Sequence, residues 1–265
     1  MPLEALRKYS VCPDLLLPEE LSNLDFRDYD PPADAQADDN EYWNTGLCTE
    51  MLAEYFKSYI LGGFPRRLPP SACSLADMRQ LNWISVPHQF LLGAGLHCYY
   101  PSSRNFWSAG PILEPESSGD HIYPHTTLVV TQDCEGSNDS MLFGELAAII
   151  SSMHNRARQP QVPDEDRESM FDAPYKIAQY DLQFPDEVHF PVIIISFVGP
   201  QHGRIFCSYM NGGELIIHQS KLYSFERKES APFDLFASFA LSQPVIGTCL
   251  PRPASLTADS RHCNP

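Results

Sequence analysis

The feature that most limits the fold is a run of four β-branched residues, Val192-Ile193-Ile194-Ile195, continued by Ser196-Phe197-Val198. Successive side chains of a strand point to opposite faces, so an unbroken apolar run leaves no face for water. The run therefore predicts a central strand covered on both sides. After Gly199-Pro200-Gln201-His202-Gly203, the segment from Arg204 to Met210 sets Ile205, Cys207 and Tyr209 on one face and Phe206, Ser208 and Met210 on the other. Asn211-Gly212-Gly213 supplies residues that reach positive φ at little cost, as a tight hairpin requires. Glu214-Leu215-Ile216-Ile217-His218-Gln219 follows directly. Connections this short force antiparallel neighbours, and the three strands are read as a β-meander.

Helical spacing supplies what covers the sheet. Leu47, Met51, Leu52, Tyr55, Phe56, Tyr59 and Ile60 recur at helical intervals, with Asn44 or Thr45 as a cap and Gly62-Gly63 and Pro65 as the stop. Ser74 and Asp77 have the spacing of a capping box that opens a short helix through Leu81, and Trp83 to Val86 reads as a brief strand. The pattern then weakens between Pro87 and Pro124. A strand follows over Thr127 to Thr131. Leu142, Phe143, Leu146, Ile149, Ile150 and Met153 trace one face of a second helix, with Asn138 to Ser140 as caps. Pro232 opens a last helix that turns Phe233, Phe236, Phe239 and Ala240 inward. The fold class expected is α+β, an antiparallel β-meander sheet packed by helices. Residues 1–40 read as an acidic, proline-bearing extension, residues 41–243 as one domain and residues 244–265 as a flexible tail. Between Asp14 and Glu41 ten acids face a single base, Arg27, and the part from Asp28 to Asn40 is read as a flexible acidic loop.

Charge and cysteine usage bound the function classes. The 265 residues carry 34 acids against 18 bases, a formal net charge of -16. That balance repels phosphate backbones and anionic membranes, which argues against nucleic acid and membrane partners. Arg156 with Arg158, and Lys221 with Arg227 and Lys228, are the two local basic groups, read as solvated surface. No secretory leader pattern opens the chain and no apolar run approaches the ~20 residues that span a bilayer. Eight scattered cysteines lack any Cys-x-x-Cys pair and read as free thiols. An intracellular protein, cytoplasmic or nuclear and not secreted, is expected.

Gly199-Pro200-Gln201-His202-Gly203-Arg204-Ile205, a glycine turn, and Ser220-Lys221-Leu222-Tyr223-Ser224-Phe225 together resemble an uncharacterised family of proteins from filamentous fungi. The resemblance covers about residues 187–243 and implies a fungal source. It brings no activity, catalytic residue or substrate with it.

The order helix, meander, helix, with Glu145 near the front of the first helix, also resembles the core of restriction-endonuclease-like nucleases. Such enzymes place an acid on the second strand and Glu-x-Lys on the third, because two carboxylates hold a divalent metal while a lysine helps activate water. Here the second strand carries no acid, and Glu214 stands only at the start of the third. Glu226-Arg227-Lys228 matches Glu-x-Lys but lies beyond that strand. Glu145, Glu214, Glu226 and Lys228 are thus the candidate site of a metal-dependent hydrolase or a degenerate nuclease fold.

His121 and His125 carry the one zinc-like spacing, with His97-Cys98 upstream and Cys134 downstream. Pro124 between them argues against a helix, and along a strand they would stand about 13 Å apart. Cys134 precedes a helix start, which lowers a thiol pKa, but Asp133 and Glu135 push the other way. His202 in the first meander turn and His218 on the third strand are read as sharing one end of the sheet with Arg204, although a hairpin turn held by Gly199 and Gly203 explains His202 without catalysis. Serine-hydrolase and phosphate-loop signatures are absent, and no cofactor is predicted. The reading that results is a non-enzymatic protein-interaction module whose acidic surface favours a basic protein partner.

Overall fold

The computed structural model describes residues 28–31, 43–62, 73–84, 97–100, 105–116, 123–167 and 179–243. The N-terminal extension other than residues 28–31, the tail after Gln243, and His121 lie outside those residues. The helices are α1 (Thr45–Leu61), α2 (Leu75–Met78), α3 (Phe143–Ala157), α4 (Asp164–Arg167) and α5 (Phe233–Ala240). The strands are β1 (Leu81–Ile84), β2 (His97–Tyr100), β3 (Asn105–Pro115), β4 (Thr126–Glu135), β5 (Val192–Gly199), β6 (His202–Asn211), β7 (Glu214–Gln219) and β8 (Tyr223–Ser224). They form one sheet in the order β1-β3-β4-β5-β6-β7. β2 pairs with β3, and β8 pairs with β6. The fold is α+β.

The meander stands where the sequence places it. β5 pairs antiparallel with β6 from Val192↔Ser208 to Val198↔His202, and β6 pairs antiparallel with β7 from Phe206↔Gln219 to Asn211↔Glu214. Gly212, at φ 61°, makes the β6–β7 turn. The β5–β6 turn is tighter than the sequence suggests, because Gly203 already lies in β6, opposite Phe197. The sheet is not antiparallel throughout. β4 and β5 run parallel, from Thr126↔Val192 to Thr131↔Phe197, joined through α3.

β5 is covered on both faces, as four β-branched residues in a row require. Ile195 and Phe197 enter one core with Phe56 of α1 and Phe236 of α5. Val192 and Ile194 enter a second core with Ala148, Ile149 and Met153 of α3. The layers are therefore α1 with α5, the sheet, and α3. Among the described residues no helix is long and apolar enough to cross a membrane.

Helix ends follow local chemistry. Asn44 Oδ1 accepts the amides of Gly46 and Leu47 at 3.0 and 3.1 Å, and Gly62 closes α1 in a left-handed conformation at φ 71°. Ser74 and Asp77 form the expected capping box. α3 departs from expectation. The carboxylate of Glu145, not a side chain of residues 138–140, accepts the Leu142 amide at 2.7 Å. Asn138 Oδ1 instead accepts the Leu222 amide at 2.7 Å and ties the turn before α3 to the sheet edge. The long strand β3 escaped the sequence pattern because Gly110-Pro111 interrupts it. That dipeptide falls where the β3–β4 register shifts, between Ala109 and Ile112, where a ladder tolerates proline.

Candidate functional site

α3 is fixed at both ends by buried arginines. Near its start, Glu145 meets Arg204 of β6, Nε to Oε1 at 2.8 Å and Nη2 to Oε2 at 2.6 Å. Ser196 of β5 donates to the same Oε1 at 2.7 Å, and Arg204 Nη1 donates to the carbonyls of Ser137 and Ser140 at 2.6 and 2.7 Å. At its other end Arg156 donates to Glu114 of β3 at 2.6 Å, to Gln159 at 2.6 Å and to the Tyr123 carbonyl at 2.7 Å. An acid in the first turn and a base in the last also suit the helix dipole. Arg156 is fully buried, not part of a solvated basic patch. Arg158, two residues on, is exposed.

These anchors decide which face of α3 looks inward. Glu145, Ala148, Ile149, Ser152, Met153 and Arg156 are buried. Phe143, Leu146 and Ile150 consequently point outward, 63%, 37% and 50% exposed. The sequence had grouped all six apolar positions on one inward face. At 100° per residue the buried arc ends at Met153, and Ile150 falls about 60° beyond that edge, on the side of Phe143 and Leu146. Between Phe143 and Met153 the one ionisable side chain is Glu145, which is buried. The outer face of α3 is thus an uncharged apolar stripe on a strongly acidic protein.

The nuclease-type constellation does not assemble. Glu145 is fully engaged by Arg204, on the very strand where such an enzyme needs an acid. Glu214 lies opposite Asn211 at one end of β6, whereas Glu226 and Lys228 follow β8, which pairs at His202 and Gly203. Nine residues of strand separate those ends, about 30 Å. Lys228 Nζ sits 5.3 Å over the Tyr55 ring, towards α1. Among the described residues no group of three or more His, Cys, Asp or Glu side chains could hold a metal ion.

His125 lies beside the Arg156 anchor, with its Nδ1 buried and without a hydrogen-bond partner. Burial, reinforced by the Arg156 charge, lowers its pKa to about 4, so the ring is neutral at physiological pH. Cys134 is no activated thiolate, because burial and the neighbouring Asp133 and Glu145 carboxylates raise its pKa. His202 and His218 do not meet either. His202 lies on β6 opposite Ser224, and His218 lies on β7 opposite Cys207, five positions further along β6.

A cleft of about 610 Å³ opens between α1 and the β3–β4 pair, lined by Asn44, Glu50, Glu54, Phe106, Thr131 and Asp133 among others. Asp133 accepts the Phe106 amide at 2.7 Å, and its other oxygen, Oδ1, is buried without a hydrogen-bond partner. Burial raises its pKa, partly offset by that amide. Lys57 at the rim is paired with Glu54 at 2.6 Å. The sequence marked Asp133 only as a neighbour of Cys134, since nothing local shows that α1 closes over it.

Compared with known proteins, the chain matches no family model, no curated protein and no solved structure.

Proposed function

We propose that this protein is a non-enzymatic interaction module that docks a protein partner on the outer face of α3. The exposed stripe Phe143, Leu146 and Ile150 carries this reading. Single exposed apolar residues are ordinary, but three in register on one helix, with no charge between them, form a patch that costs free energy in water. The partner is a protein that presents an apolar helix or groove rimmed by basic residues. The net charge of -16 draws such a rim in and repels acidic competitors. The setting in this proposal is intracellular, supported by Cys73, Cys134 and Cys207, which stand as free thiols.

The test is a capture experiment from native extract at physiological salt, comparing the wild-type chain with Ile150→Asp. One partner in stoichiometric amount, lost with Ile150→Asp and in high salt, is the expected result. Ile150 is a half-exposed position, so the substitution should leave stability within about 0.5 kcal/mol. An identical set of captured proteins for both chains would overturn the assignment of this face.

A further inference from the structure

A short acidic segment from the N-terminal part of the chain lies against the loop that follows β8. Tyr29 donates its amide to the Glu226 carbonyl at 2.8 Å, and Lys228 donates its amide to Asp28 Oδ1 at 2.8 Å. Arg227, between them, reaches Asp28 Oδ2 at 3.6 Å and Asp30 Oδ1 at 3.9 Å. The Tyr29 ring meets Trp43 edge-on, with centroids 5.7 Å apart. The sequence reads Asp28 to Asn40 as a flexible acidic loop, yet Asp28, Tyr29 and Asp30 have specific partners.

Each contact reads a different property of the segment. In an extended chain residues i and i+2 point the same way, so Asp28 and Asp30 can share one guanidinium while Tyr29 turns to the opposite side. The Glu226 carbonyl accepts the Tyr29 amide, and the Lys228 amide donates to the Asp28 carboxylate. Arg227 requires carboxylates two residues apart, and Trp43 requires a ring between them.

The fit is specific in kind but loose in strength. The side chains of Arg227 and Asp28 are 57% and 50% exposed, and solvent-exposed ion pairs hold weakly. In the sequence about eleven residues separate Pro31 from Trp43, and covalent linkage over so short a span raises the segment's effective concentration at the loop to the order of millimolar. A contact held by proximity rather than by strong bonds is exchangeable.

We propose that Glu226-Arg227-Lys228, with Trp43, forms a docking site for an extended acidic peptide centred on tyrosine. Asp28-Tyr29-Asp30 occupy it in cis, and a partner segment of the same chemistry displaces them. The site is separate from the α3 stripe and does not depend on it. Charge complementarity and the resident segment both define the occupant.

The experiment titrates a fluorescein-labelled peptide of residues 25–31 into the full chain and follows anisotropy. The chain with Asp28→Asn, Tyr29→Ala and Asp30→Asn lacks the resident competitor and should bind the peptide about tenfold more tightly than wild type. Adding Arg227→Glu to that variant should return binding to the wild-type level or below. Asp181→Asn with Asp186→Asn, two exposed acids, makes the same change in net charge elsewhere and should bind as wild type does. Thermal melts establish that each variant is folded. Equal affinity for the wild type and the triple variant, no binding to the triple variant, or indifference to Arg227→Glu would each overturn the proposal.

Discussion

Glu145 of α3 and Arg204 of β6 close a two-point ion pair in the core, with both side chains fully shut off from solvent. Burying two charges costs several kcal/mol of desolvation per ion, so such a pair survives only where its remaining hydrogen-bonding capacity is met. Here it is met. The carboxylate also accepts from Ser196 and the Leu142 amide, and the guanidinium also donates to the carbonyls of Ser137 and Ser140. One node thus joins β5, β6, the start of α3 and the turn before it. Its work is to set the rotation of α3, and through that the face the helix shows to water.

Removing one member leaves the other charge buried alone. Glu145→Leu or Arg204→Met alone is expected to cost about 3–5 kcal/mol, read from urea denaturation. Glu145→Leu combined with Arg204→Met leaves no orphan charge and should cost less than the sum of the single changes. Strict additivity in that double-mutant cycle would show that the two residues act independently.

Acid should weaken the fold through His125. Its pKa falls from 6.5 in an unfolded chain to about 4 in the fold, through burial first and the Arg156 charge second. The unfolded state therefore binds more protons between those values, and stability is lost as pH falls from about 6.5 towards 4. The loss is on the order of 3 kcal/mol across the window. Denaturant midpoints measured from pH 7 down to pH 4 should fall less steeply for His125→Gln than for wild type. Parallel profiles would assign the acid sensitivity to other groups.

Gly203 sits where three aromatic rings converge. A Cβ at that position would stand 2.8 Å from Phe236, 2.9 Å from Phe225 and 3.2 Å from Phe197. Those rings pack edge-on or stacked against each other, with centroids 4.8 to 5.9 Å apart, and have little room to yield. Gly203→Ala is expected to destabilise by about 1–3 kcal/mol through overpacking. Trimming one ring as well, with Phe225→Leu, should recover part of that loss in a thermal melt. If Gly203→Ala melts as wild type does, the cluster is looser than its geometry indicates.

Much of the architecture was legible because its causes are local. Val192 to Ile195 can only be a doubly covered strand, Asn211-Gly212-Gly213 can only turn tightly, and Asn44 and Gly62 mark the ends of α1 through their own hydrogen bonds and φ. β3 was lost because Gly110-Pro111 looks like a break to any periodicity, and only pairing with β4 on one edge and with β1 and β2 on the other makes it a strand. The acids and bases behaved in the opposite way. Glu145 reads in the sequence as a candidate site residue and Arg156 as solvated surface, yet Glu145 pairs with Arg204 59 positions away and Arg156 with Glu114 42 positions away. Periodicity told that residues 143–157 form a helix, but six apolar positions were compatible with several rotations. For α1, α3, α5 and the meander the sequence alone thus determined helix or strand, since propensity, capping and alternation act within a few residues. Only the tertiary structure decided which side of α3 is covered, because ion pairs formed across the fold selected one rotation and left Phe143, Leu146 and Ile150 facing water.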